Sequence, residues 1–275
     1  MVAVHAWRSA AAIERFKTKF PERPVILQLS GTDIYQYIET DPVPTLRSMD
    51  LADRLVALND LAGRVLPKRF HPRLSIIHQS AAQLPHPRRP SARAIVVSVI
   101  GHLRDVKDPL RTAKAARLLP ADSRVRIEQI GRAYTPAWAA RAEAEMKANP
   151  RYLWRGDVTG AAVRRLLARS HAMVISSLSE GGANVISEAA AAGVPVLASR
   201  MDGNVGLLGA DYPGYFPVGD TAALARLLQR LERQPRFVAS LRQALARRAS
   251  LFRPAREIAA WRHLLAGLEQ QFSGS

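Results

Sequence analysis

Residues 172–199 read AMVISSLSEGGANVISEAAAAGVPVLAS, and the order of residue types in this stretch decides the fold. Ala172 to Ser177 is a short apolar, β-branched run of the kind that forms a buried strand. Ser179, Glu180, Gly181 and Gly182 form a loop, and the Ala-rich segment after it has helical character. Asn184 is expected to cap that helix through its side-chain oxygen. Gly193 is expected to end it, since glycine takes a left-handed conformation without strain, and Val194 to Ser199 reads as the next strand. Strand, loop, helix and strand in so few residues describe one unit of a parallel sheet covered by helices.

The same alternation runs outward in both directions. Upstream, strands are expected at Val2 to His5, Val25 to Leu29, Arg54 to Leu58 and Leu74 to His78, and then at Ala94 to Ile100 and Arg124 to Ile130. Between the two series, Ala82 to Arg93 carries Pro85, Pro87 and Pro90, which suit neither a helix interior nor a central strand. It reads as an interdomain linker. The division is therefore a first α/β domain over residues 1–87, a second over 94–252, and a terminal segment over 253–275. In the last of these, Ala255 to Leu268 follows Pro254 and spaces Ile258, Trp261, Leu264, Leu265 and Leu268 by helical steps, so one apolar face should pack back toward the first domain. Only the final Ser-Gly-Ser reads as a frayed tail. Because the chain opens directly on an apolar strand, with no Gly-rich turn before Val2, the first domain is expected to be shortened.

Composition bounds the function. The 275 residues contain no cysteine, which removes disulfides, thiolate nucleophiles and cysteine-bound zinc and favours a reducing, cytoplasmic setting. The opening residues do not read as a secretory leader and no run approaches ~20 apolar residues, so no membrane partner is expected. Forty Lys and Arg against 23 Asp and Glu give a net charge of +17, a field that attracts any polyanion. Aromatics make up 6% and do not interleave with basic residues on a strand, which argues against a nucleic-acid partner. The basic excess is almost all Arg and accompanies abundant Ala, as a GC-rich coding sequence would also produce.

Two loops carry candidate chemistry. The Ser179–Gly182 loop, at a helix amino terminus, offers unpaired backbone N–H groups and a positive dipole end, a combination that favours phosphate. Glu180 and Glu188 flank it; alone they read as a turn acid and a solvated residue, and together they can face one ligand, Glu188 accepting hydrogen bonds from a ribose diol. The second loop lies in VSVIGHLRDVKDP, residues 97–109, where a buried strand runs into Gly101 and is followed by His102, Arg104 and Lys107. At the carboxyl end of a parallel strand such cations point into the ligand crevice and can neutralise a diphosphate, or they simply decorate a solvated loop. Asp33, in SGTDIY, is a turn residue that either caps locally or contacts an acceptor.

Together these stretches resemble the nucleotide-binding half of GT-B glycosyltransferases, in particular the large retaining family that includes sucrose and glycogen synthases. Glu180 and Glu188 match its two glutamates separated by seven residues, and Gly101 with Lys107 matches its upstream glycine and lysine. Gly131, Gly156, AAGVPVLAS and GDTAALARLL match further. The resemblance implies two Rossmann-like domains with a cleft between them and a UDP-sugar donor with no cofactor and no metal. Glu188 would hold the ribose, while Gly181, Gly182, Ala183 and Asn184 face the sugar and phosphates. Gly101, His102, Arg104 and Lys107 would line the diphosphate, and Arg104, Lys107 and Glu180 would be the catalytic residues. His102 stands where the family has Arg. The finer wording, including GHLRDVKDPLR, EGGANVISEA and DYPGYFPVGDTAAL, is similar to the selenosugar synthases of selenoneine biosynthesis, whose members carry an additional amino-terminal segment with a Gly-rich loop. That implies transfer of GlcNAc or glucose from UDP-GlcNAc or UDP-glucose to selenophosphate, with Asp33 on the acceptor side. A conventional acceptor, or donor binding without turnover, are the competing readings.

Against other classes, Gly203, Gly206 and Gly209 do not form a dinucleotide fingerprint, no Walker phosphate loop occurs, and the seven histidines lack zinc-ligand spacing. No Asp-x-Asp triplet is present, which disfavours a metal-dependent transferase.

Overall fold

Two parallel sheets form where the sequence concentrates β-branched residues. The computed structural model describes residues 1–273. In the first sheet, β1 (Val2–Val4), β2 (Ile26–Gln28), β3 (Arg54–Ala57) and β4 (Leu74–Ile76) lie side by side in chain order. The second holds β5 (Ile95–Ile100), β6 (Val125–Ile130), β7 (Tyr152–Trp154), β8 (Ala172–Ile175), β9 (Val196–Ser199) and β10 (Tyr215–Phe216), in the order β10-β9-β8-β5-β6-β7. Every pairing in both sheets is parallel. The eight strands expected from sequence are all present, each trimmed by one or two residues. The two that were not anticipated, β7 and β10, are the edges of the second sheet and too short to show a period.

All four residues of β8 and of β9 are buried, as a strand covered by helices on both faces requires. Helix starts follow local chemistry. Thr135 caps Pro136–Ala148, Thr159 caps Gly160–Arg169, and the Asp220 carboxylate accepts from the N–H of Ala223 at 2.8 Å to cap Thr221–Arg233. Gly193, at φ 63°, lets the chain turn out of helix Asn184–Ala191 into β9.

Residues 77–94 form neither helix nor strand and connect the sheets. The last helix, Pro254–Ser273, returns to the first sheet and buries Leu264 and Leu268 against Ile26, Val56 and Ile77. Ile258 and Leu265, expected on the same packed face, are 51% and 44% exposed, because the apolar arc of this helix is wider than its contact with the sheet. Ser273 ends the helix, and the other two tail residues, Gly274 and Ser275, lie outside the described residues.

Candidate functional site

From β5 the chain winds outward to β6 and β7, then returns to β8 on the other side of β5. The loops leaving β5 and β8 therefore diverge above neighbouring strand ends, and that is where open α/β sheets leave a ligand crevice. Here the two loops are stitched together. The N–H of Leu178 donates to the Val106 carbonyl at 2.8 Å, and Ser176 Oγ donates to the carbonyls of Lys107 and Asp108 at 3.2 and 2.9 Å.

The stitching brings Lys107 and Glu180 into a direct ion pair. Ser177 Oγ donates to the same carboxylate oxygen at 2.7 Å, so the charge of Glu180, only 8% exposed, is neutralised and hydrogen-bonded. A cavity of about 170 Å³ opens beside the pair, and Gly101, His102, Lys107, Gly182, Ala183 and Asn184 lie on its wall. His102 Nδ1 accepts the N–H of Arg132 at 3.2 Å, which leaves the proton on Nε2. Asn184 does not cap the helix as expected. Ala183 takes the cap position without a side-chain bond, and the Asn184 amide instead donates to Glu188 Oε1 at 3.3 Å. The N–H groups of Gly182, Ala183, Asn184 and Val185 consequently have no acceptor among the described residues, a better anion cradle than a capped helix provides. Glu188, one turn into the helix, receives the Asn184 amide, and burial raises its carboxyl pKa above the ordinary value.

Arg104 departs from its expected place. It lines a second cavity of about 300 Å³ that shares Glu180 and Gly182 with the first, together with Gly181 and residues of the first domain. The first domain closes tightly onto this backbone. A Cβ on Gly181 would lie 2.3 Å from the Cα of Gly31, and Asn59 Nδ2 donates to the Gly181 carbonyl at 2.8 Å. Further out, Asp60 binds His78 Nε2 at 3.0 Å and Arg248 Nη2 at 2.5 Å, and these contacts, His78 foremost, hold its carboxyl down at about 2.

Asp33 requires a correction. It is completely buried, and both its oxygens are taken: Oδ2 by the N–H groups of Ala6 and Ser30, Oδ1 by the N–H of Trp7 and by His5 Nδ1. No surface remains with which to touch an acceptor; Asp33 ties the ends of β1 and β2 together. The residue that reaches the cleft instead is His5, held by Asp33 at 2.7 Å.

Sequence reasoning also missed Gln129. Only 1% exposed, at the end of β6, it lies on the wall of the first cavity, with its Oε1 accepting from Tyr152 OH at 2.9 Å and its Nε2 unpartnered. The signal was available: a polar pair, Glu128 and Gln129, interrupts an otherwise apolar strand end. Among the described residues, no three His, Asp or Glu side chains cluster as a metal site, and no helix is long and apolar enough to cross a membrane.

Known proteins share this architecture. HepE of Anabaena, solved with UDP and glucose and with UDP-glucose, superposes with TM-scores of 0.78 and 0.79 at 16% identity, over 98% of this chain and 78% of that one. Sucrose-phosphate synthase of Thermosynechococcus elongatus gives 0.78 at 18% identity, over 100% and 74%. The lipopolysaccharide outer core galactosyltransferase WaaB gives 0.68 at 13%, over 97% and 75%. These likenesses establish the GT-B fold. No curated protein sequence matches. The sequence model of the family described as glycosyl transferases group 1 matches residues 94–234, just over half of the chain, and with them the switch point, Lys107, Glu180 and Glu188. The chain belongs to the group 1 glycosyl transferases.

Proposed function

We propose that this glycosyltransferase takes its sugar from a UDP-sugar, UDP-GlcNAc or UDP-glucose, and passes it to selenophosphate. The observation that carries the donor half is the uncapped helix start at Gly182–Val185 facing the same cavity as Lys107. The N–H groups and the lysine suit a diphosphate, and Glu188, one turn in, suits the ribose hydroxyls. A bound diphosphate competes with Glu180 for the Lys107 ammonium, which then stabilises charge developing on the leaving group. HepE, of the same fold, was solved with UDP-glucose.

The acceptor half rests on the similarity of GHLRDVKDPLR, EGGANVISEA and the neighbouring stretches to selenosugar synthases, and on a cationic cleft that suits an anionic nucleophile. Selenium in selenophosphate is already a soft anion and needs no base. Its lone pair forms the C1–Se bond as the C1–O bond to UDP breaks and that electron pair leaves on the diphosphate. Hydrolysis of the P–Se bond, with water supplying hydroxide to phosphorus and a proton to selenium, releases phosphate and the 1-seleno sugar. Protein groups then contribute orientation and electrostatics.

Mass spectrometry of products from the purified chain with UDP-GlcNAc or UDP-glucose and selenophosphate tests this reading. A selenium-bearing sugar is expected. UDP release that depends on a carbohydrate or lipid hydroxyl, with no seleno product, assigns a conventional acceptor instead.

A further inference from the structure

The second cavity has an electrostatic character that the donor site does not explain. Its wall is built from both domains: His5, Arg8 and Thr32 on one side, Arg104 on the other, with Glu180 and Gly182 shared with the donor cavity. Arg8 and Arg104 make no ion pair and no side-chain hydrogen bond among the described residues, and Arg104 Nε is buried without a partner. The single acid on the wall, Glu180, is already neutralised by Lys107. Two guanidinium groups thus face one space with no carboxylate to balance them, and guanidinium forks are suited to oxyanions.

The rest of the wall is held rigid. His5 takes a left-handed backbone at φ 73°, unusual for a residue with a Cβ, and the Asp33 contact locks its ring. Its Nε2 meets Thr32 Oγ1 at 3.0 Å, and Thr32 meets Ser30 Oγ at 3.0 Å, so a fixed run of hydroxyls continues from the imidazole along the cavity. A buried carboxylate with every acceptor site filled is a costly device, and here it presents one imidazole and two hydroxyls toward two unpaired cations.

We infer that this cavity binds a small tetrahedral oxyanion, the phosphate-class end of the acceptor, through the guanidinium groups of Arg8 and Arg104, with Thr32 and the Asp33-held His5 forming the polar wall that positions it. The inference rests on the proposed transfer to an anionic acceptor, and it places donor and acceptor anions in two cavities that share Glu180 and Gly182, Lys107 serving one and Arg104 the other.

The test is calorimetric titration of inorganic phosphate into UDP-saturated protein, for the wild type, Arg8→Ala and the near-isosteric Thr32→Val, with folding checked by circular dichroism. Arg8 is exposed and supports no core contact. The expected result is phosphate binding by the wild type, weakened at least tenfold in Arg8→Ala and several-fold in Thr32→Val, with UDP affinity unchanged in both. Absence of phosphate binding in the wild type, or equal binding in all three, overturns the inference. Phosphate bound here without seleno-sugar formation from selenophosphate keeps the site and removes the proposed acceptor. Seleno-sugar formation with an unaltered acceptor KM in Arg8→Ala keeps the function and removes the site.

Discussion

Lys107 and Arg104 stand three residues apart on one loop, yet they face different cavities and different electrostatic conditions. Lys107 is paired with a nearly buried carboxylate and lies beside an uncapped helix start, whereas Arg104 has no carboxylate partner, lies over the Tyr134 ring and shares a cavity wall with Arg8. The cause is local. Residues 105–107 form one turn of 3₁₀ helix, and Arg104 precedes it in an extended conformation, φ −151° and ψ 157°, so its side chain leaves the backbone on the other side. One loop thereby serves two sites, and the paired cation stands ready for an exchange of partners while the unpaired one awaits an anion.

Removing Lys107 should break the donor side most severely. Loss of one preorganised charge donor costs about 2.7–4 kcal/mol, so Lys107→Ala should lower turnover roughly a hundred- to a thousandfold. It also strands Glu180, and breaking a buried pair is itself destabilising. Adding Glu180→Gln should therefore recover thermal stability without recovering turnover, and recovery of both would make Lys107 a structural residue only.

Next in size is the backbone wall that the cavities share. A Cβ on Gly203 would lie 1.8 Å from the Glu180 carbonyl oxygen, so Gly203→Ala must displace the segment both sites share. Overpacking of this kind costs about 1–3 kcal/mol. UDP and phosphate affinities should fall together in this variant, measured by the same titrations; a loss of only one would show that the wall is not common to both sites.

Glu188 sharpens the donor side through pH. Burial raises its carboxyl pKa, with Arg164 opposing more weakly, and only the ionised form accepts both ribose hydroxyls. UDP affinity should therefore decline on acidification at a pH above the ordinary glutamate range. In Glu188→Gln that decline should vanish, and an identical profile in wild type and variant would detach Glu188 from the nucleotide.

The smallest effect concerns the latch beyond both cavities. Asp60, held at about 2 by His78 and Arg248, has a folded pKa below its ordinary value of 3.8. Its contribution is complete above that ordinary value and disappears as pH falls from about 4 toward 2. The pair is partly solvated, which limits it to about 1 kcal/mol. Asp60→Asn should lower the Tm by about 2–4 °C at neutral pH and by less near pH 2, followed by calorimetry.

Much of this arrangement was legible in residue order because parallel strands and Gly-rich loops leave compositional marks. β8, its loop and β9 could be placed from AMVISSLSEGGANVISEAAAAGVPVLAS alone, and so could the strand before Gly101. What the order of residues does not carry is the direction a side chain takes from a loop, or which element lies opposite. Arg104 was grouped with Lys107 for that reason, Asn184 was given a cap position that Ala183 takes one residue earlier, and Asp33 was left between a local and an acceptor-side role when three backbone N–H groups and His5 take both its oxygens. His5 and Arg8 gave no signal because their significance arises only when the second domain faces them.

The most direct test of this two-sided account is UDP titration by calorimetry into the wild type, Glu188→Ala and Arg8→Ala. Glu188→Ala should weaken UDP by about ten- to a hundredfold, as loss of a charge-assisted hydrogen bond implies, while Arg8→Ala should bind UDP as the wild type does. UDP weakened equally by both substitutions, or unaffected by Glu188→Ala, would contradict it.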